Sequence, residues 1–461
     1  MKNKLLGGRI RRCVRWSGLL VLLFGLMLGM TQAALKKPSR SQSTNTRVTA
    51  TQIVKTVLPN GLTFLVKPTA ANEVVALHLL VRSGPLYETR EQRGISALTQ
   101  QVLIRGSKSR NAREIALATE SIGAELTAGL GSGYGYVSLK TTTGGWDTAL
   151  NILLELIREP KFPAGEFTKE QKMLTASLAA REDQPFVAAY FQFMELFYAG
   201  HPYGVKTADL IATVQKLTRD DLVAWYRKVY IPQNMVISIV GKVDPAAIRQ
   251  RLAATLGKLP AGKPPQITET ASARPDQDVL EFKQRATQGL FLVLGYPAPA
   301  LNTRDSLAMD VLNRILGGGS EARLYTEVRE KRGLAYTIYT GYEKRTDGAH
   351  LCAIMATAPQ NYQAVRDQVV QEFQRLAKQP VTAGELAQAK QALRGSYLMR
   401  HETNAAQSLI LGSCELNGLG YEYDQKYPQL LQQVTAADIK RVARKYFLHY
   451  TMGVVAGQPV E

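Results

Sequence analysis

Histidine is scarce in this 461-residue chain: five in all, His78, His201, His350, His401 and His449, with no two at the three- or four-residue spacing that puts a pair of ligands on one helical face. Their scatter argues against a metal site built from them. Cysteine is scarcer still, with Cys13, Cys352 and Cys414 the whole complement. A disulfide-stapled scaffold is therefore excluded, and a single Cys352–Cys414 bridge or two buried thiols both remain open. No Ser/His/Asp or Cys/His arrangement for nucleophilic catalysis emerges from so few residues. Acidic residues number 38 against 57 Lys and Arg, yet no dense basic cluster interleaves with aromatics, which speaks against nucleic acid as a partner. The apolar run Ser17 to Met30 is shorter than a membrane span needs, which argues against stable membrane insertion.

What is present points to an exported globular protein. Lys2, Lys4, Arg9, Arg11, Arg12 and Arg15 precede that apolar run, and the small residues Ala33 and Ala34 follow it, so residues 1–34 read as a signal peptide. Those residues hold six basic groups and no acidic one, and their removal lowers the formal charge from +19 to +13. Export, to the periplasm, is the expected localisation. The remaining composition, 45% hydrophobic and 21% charged, is that of a folded protein, and the length exceeds what one core usually organises.

Residues 35–52, rich in Ser, Thr, Lys and Arg, read as a flexible leader. Asn60-Gly61 then stands between two apolar runs, a hairpin signal, and Val74 to Val81 follows as a strand. Helical periodicity dominates from Trp146 to Val229, and Met235 to Val240 closes the first half as a strand. A Pro- and Gly-rich stretch, residues 259–277, reads as a linker. Beyond it the order recurs: Ala164-Gly165-Glu166 matches Ala383-Gly384-Glu385, Leu217-Thr218 matches Val434-Thr435, and the strand at Met235 matches that at Met452. The nearly constant offset indicates a tandem duplication. The expected fold is α+β: two homologous domains, residues 53–258 and 278–461, each an antiparallel-rich sheet with helices on one face, enclosing a cleft.

Arg93 to Ser107 reads as a short amphipathic helix, with Ala97, Gln100 and Gln101 on one face. A helical His-x-x-Glu-His at those positions would bind zinc and activate water. Alanine has no lone pair, and an amide supplies neither an anionic oxygen nor a basic nitrogen. Taken alone, the segment is an ordinary core-packing helix. Gly317-Gly318-Gly319-Ser320 lacks the lysine of a phosphate loop and reads as a close turn beside the cleft.

In order and spacing, Leu58-Pro59-Asn60-Gly61-Leu62, Gly94 through Ser107, His201-Pro202-Tyr203-Gly204, Tyr230-Ile231-Pro232-Gln233-Asn234, Leu316-Gly317-Gly318-Gly319-Ser320 and Val328-Arg329-Glu330-Lys331-Arg332-Gly333-Leu334-Ala335-Tyr336 resemble the pitrilysin/insulinase family of zinc peptidases across about residues 53 to 457. The resemblance implies that Ala97, Gln100 and Gln101 replace the two histidines and the catalytic glutamate. Counted back from Asp183-Gln184-Pro185, the third ligand falls near Ser177. It further implies that Arg329 and Tyr336, seven residues apart, reach across the cleft to substrate and steady the oxygen that turns negative as water attacks. His201 becomes a structural turn.

These features describe a chain with no zinc and no peptidase activity of its own. The expected role is a non-catalytic subunit of an exported heterodimeric zinc peptidase, with zinc in a related partner, a peptide or unfolded polypeptide as substrate, and Gly317, Gly318 and Gly319 near the cleft. The alternative is a peptide-binding or scaffold protein with no part in hydrolysis.

Overall fold

In a computed structural model, residues 52–267 and 275–459 are described. The expected signal and leader, residues 1–51, and the middle of the expected linker lie outside them. The first sheet holds β1 (Val54–Val57), β2 (Thr63–Pro68), β3 (Val74–Arg82), β4 (Glu125–Leu130), β5 (Tyr134–Thr142) and β6 (Met235–Gly241) in the order β1-β2-β6-β3-β5-β4. The second holds β7 (Val279–Gln284), β8 (Leu290–Pro297), β9 (Thr337–Glu343), β10 (His350–Thr357) and β11 (Thr451–Ala456) in the order β7-β11-β8-β10-β9. Without β1, the first order becomes the second when each strand number rises by five. Each sheet carries one parallel pair, β2 with β6 and β7 with β11, and is otherwise antiparallel. The duplication read from sequence offsets is thus a duplication of topology.

The coverage of the sheets differs from the expectation of helices on one face. Each sheet buries one face against helices of its own half: Trp146–Arg158 and Arg219–Val229 in the first, Tyr362–Lys378 and Ala436–Tyr446 in the second. The other face is covered by a helix from the opposite half. Pro185–Phe197 lies on β8 and β11 and builds a core of Ala189, Phe193, Phe197 and Tyr198 against Val293, Cys352 and Val455. Asn404–Leu416 lies on β3 and β6, with Leu411 and Leu416 against Leu65, Leu80 and Val236. The physical reason is in the strands. β3 reads Val-Val-Ala-Leu-His-Leu-Leu-Val with every position from Val75 to Val81 buried, which a sheet with one wet face does not produce. The described residues of the two halves accordingly form one compact unit.

Glycine lets the crossing helices approach closely. A Cβ at Gly453 would stand 2.7 Å from the Phe193 nitrogen, and one at Gly412 would stand 2.2 Å from Leu80 Cδ1. Polar groups fix each seam. Ser238 Oγ donates to the Ser408 carbonyl at 2.6 Å, Ser408 Oγ donates back to the Ser238 carbonyl at 2.8 Å, and His78 Nδ1 lies 3.2 Å from Ser408 Oγ. On the other seam the Tyr198 hydroxyl lies 2.7 Å from His350 Nδ1. A third link joins the β4–β5 turn to the end of β9, with Ser132 Oγ 3.3 Å from the Lys344 carbonyl.

Both seam histidines are neutral, because burial lowers His78 from 6.5 to about 4 and His350 from 6.5 to about 3. In the unfolded chain they protonate near 6.5, so their contribution is complete above that pH and is lost as pH falls toward 4. Stability in urea should therefore decline from about pH 6.5 to 4, and His350→Gln, which cannot titrate, should flatten that decline; an identical pH slope in the variant would contradict the assignment.

Candidate functional site

The helix Ile95–Leu103 carries the central positions. Its N-terminus is fixed by Glu88, whose two carboxylate oxygens accept from the Gly94 and Ser96 amides at 3.0 Å each. Burial pushes the Glu88 carboxyl up, and those hydrogen bonds with nearby Arg93 oppose the shift. Ile95, Leu98, Val102 and Leu103 enter the first-half core, which orients the remaining face.

Gln100 is fully buried. Its Oε1 accepts from the Tyr230 hydroxyl at 2.7 Å, and burial pushes that hydroxyl well above the ordinary phenol range, so it remains a donor. Its amide nitrogen lies over β5 where Gly135 leaves room: a Cβ there would stand 2.2 Å from Nε2. Among the described residues that nitrogen and the buried Oε1 of Gln101 have no hydrogen-bond partner. A buried amide held by a phenol cannot take a proton from water.

Ala97 lies on the wall of a 230 Å³ pocket otherwise formed largely by apolar side chains. The facing helix, Ala164–Ala180, contributes Leu174 and Leu178 to it, and Arg181 follows. Ser177 is exposed and does not line the pocket, so the structure groups Ala97 with Leu174 and Leu178 rather than with Ser177. Phe191 and Met194 come from the crossing helix, Leu130 from the end of β4. Glu88, Arg93, Arg181, Tyr230 and Gly135 carried no assigned role in the sequence reading. Tyr230 stood in a motif that could have drawn attention, and Arg93 opened the helical segment.

The second-half residues are separate from this pocket. Arg329 is exposed near the end of the π-helical turn Tyr325–Glu330, its guanidinium carbon 4.9 Å from the Tyr325 ring centre. The chain reverses at Gly333, φ 61°, and Tyr336 follows just before edge strand β9 with 66% of its surface exposed. Among the described residues no hydrogen bond, ion pair or ring contact joins either to Ala97, Gln100 or Gln101. Gly317 packs against Thr340 of β9, and Gly319 lines a 40 Å³ crevice with Arg314 and Glu385. His201 forms the expected turn, its carbonyl accepting from Gly204 N at 2.9 Å, and its Nε2 lies 3.5 Å from Asp347 of the second half.

This architecture coincides with known sequences. The family model described as insulinase (peptidase family M16) matches residues 63–208, and that described as peptidase M16 inactive domain matches residues 216–393. The chain belongs to the M16 family. It is 25% identical over 396 residues to an uncharacterized zinc protease of Mycobacterium tuberculosis, covering 85% of this chain and 90% of that one. A similarly named protein of Rickettsia felis is 25% identical over 401 residues, covering 87% and 96%. Among solved structures, a peptidase M16 inactive domain from Pseudomonas fluorescens superposes with TM-score 0.81 at 22% identity, covering 89% of this chain and 99% of that one. The periplasmic protease PqqL of Escherichia coli gives TM-score 0.74 at 15% identity, with 88% of this chain covering 45% of that one. At such identities the structures establish the fold.

The zinc implied by the M16 family does not fit the side chains here. Ala97 has no donor atom, Gln100 is committed to Tyr230, and Gln101 offers a neutral amide. Among the described residues no group of three or more His, Cys, Asp or Glu could hold a metal ion. What remains is a rigid polar pair beside an apolar pocket. Tyr230→Phe should cost about 1–3 kcal/mol in urea unfolding by leaving Gln100 Oε1 buried and unpaired, and adding Gln100→Met should recover much of it; an unchanged stability for Tyr230→Phe would contradict the pairing.

Proposed function

We propose that this M16 chain is a non-catalytic, substrate-binding and activating subunit of an exported heterodimeric zinc endopeptidase. Its partner is a related chain with an intact His-x-x-Glu-His, and this chain lends Arg329 and Tyr336 to the partner's active site. The observation that carries the proposal is the contrast between the halves. The first has neither metal donors nor a base at Ala97, Gln100 and Gln101, while the second presents an exposed arginine and tyrosine seven residues apart. A fixed cation and a phenolic donor suit an oxyanion that develops on substrate, and they act equally well on a carbonyl activated by another subunit's metal. Exposure is what such a role in trans requires.

A second reading, peptide binding without hydrolysis, is favoured by the apolar pocket beside Ala97, which offers a concave surface for an apolar side chain. Co-purification of the mature chain with a zinc-binding relative, followed by peptide cleavage assays on each chain and the mixture, separates the two. The heterodimer should turn over substrate that neither chain cleaves alone, and Arg329→Ala with Tyr336→Phe should lower that turnover on the order of 100-fold. A mixture no faster than the partner alone, or indifferent to the double variant, would defeat the proposal.

A further inference from the structure

The pocket beside Ala97 combines an apolar wall with one uncompensated cation. Leu130, Leu174, Leu178, Met194, Leu210 and Val214 form the wall. Of the charged groups that face it, Glu88 is held by the helix amides at Gly94 and Ser96, and Arg93 donates to the Pro202 carbonyl at 2.7 Å. Arg181 differs. Among the described residues it has no carboxylate or carbonyl partner; its guanidinium carbon stands 5.0 Å from the ring centre of Phe191, which also lines the pocket. It is half-buried, and desolvation works against its charge. A half-buried cation without a counter-ion gains more from an incoming anion than a fully solvated one does.

The wall restricts what that anion can be. An inorganic anion would leave the apolar surface bare, whereas a carboxylate attached to an apolar group fills both parts. Leu130 ends β4, whose outer edge pairs with no other strand among the described residues, so main-chain donors and acceptors are available next to the pocket. Those groups favour a peptide over a lipid acid.

We infer that the pocket receives the C-terminal residue of a peptide, with its free α-carboxylate on Arg181 and its apolar side chain against Leu174, Leu178 and Met194. The inference rests on the reading of this chain as a peptide-binding subunit and adds which part of the peptide is recognised. Bidentate pairing of guanidinium with carboxylate supplies the direction, and the wall supplies the preference for Leu, Phe or Met as last residue. No bond is made or broken.

The test is titration of the mature chain, without partner, with a labelled hexapeptide ending in a free Leu carboxylate, with its C-terminal amide, and with octanoate as competitor. The acid should bind at least about tenfold tighter than the amide, and Arg181→Gln should erase that difference. Ala97→Phe, which fills the pocket, should weaken the acid while leaving the circular dichroism spectrum and thermal midpoint near those of the unsubstituted chain. Equal binding of acid and amide overturns the inference and leaves peptide binding standing. Octanoate displacing the peptide at equal concentration overturns it in favour of a lipid acid. Absence of binding by either peptide overturns both the inference and the peptide-binding reading beneath it. Should Arg181→Gln not fold, the acid-to-amide comparison on the unsubstituted chain decides.

Discussion

Each sheet of this molecule needs a helix from the opposite half to bury its second face, and the rest of the structure depends on that exchange. Strands β3 and β6 are apolar on both sides, and helices of their own half cover only one. Left open, the other side would expose a broad hydrophobic surface. The crossing helices Pro185–Phe197 and Asn404–Leu416 solve this reciprocally, and the serine and histidine contacts on the seams satisfy the few polar groups trapped there. The pocket inherits its shape from the exchange. Leu174, Leu178 and Arg181 precede the first crossing helix, while Phe191 and Met194 lie on it, so one wall is set by the first half and another by where the chain leaves it.

The face of Ala97 and Gln100 is a built environment. Gln100 is met by Tyr230 on one side and accommodated by Gly135 on the other, and Ala97 opens into an apolar cavity. An amide is suited to that place because it stays neutral at every accessible pH, whereas a buried carboxyl without a metal would be driven toward its protonated form. The second half presents an exposed cation and an exposed phenol on the turn leading into edge strand β9.

Much of the fold was legible in the sequence. The Asn60-Gly61 hairpin, the nearly constant offset between halves and the α+β class follow from turn chemistry and periodicity, which are local. The exchange was not legible. The unbroken apolar run of β3 announces burial on two faces but not which helix supplies the second cover, since helices 185–197 and 404–416 have the same pattern whether they pack at home or away. The site divides similarly. Ala97, Gln100 and Gln101 share a helical face by spacing alone, but the Tyr230 partner of Gln100 lies 130 residues further on. Counting back from Asp183 pointed to Ser177, whereas the pocket wall uses Leu174 and Leu178, one turn apart. Arg181 was one cation among 57 Lys and Arg, and its half-buried place on the pocket wall, with no acceptor among the described residues, distinguishes it.

The central claim is that this chain carries none of the metal its family uses and depends on another chain for it. Quantitative metal analysis of the mature protein, purified alone from zinc-replete cells and again as the complex with its zinc-binding relative, tests that claim most directly. The account predicts negligible zinc in the isolated chain and one zinc per heterodimer in the complex. Stoichiometric zinc bound to the isolated chain would contradict it.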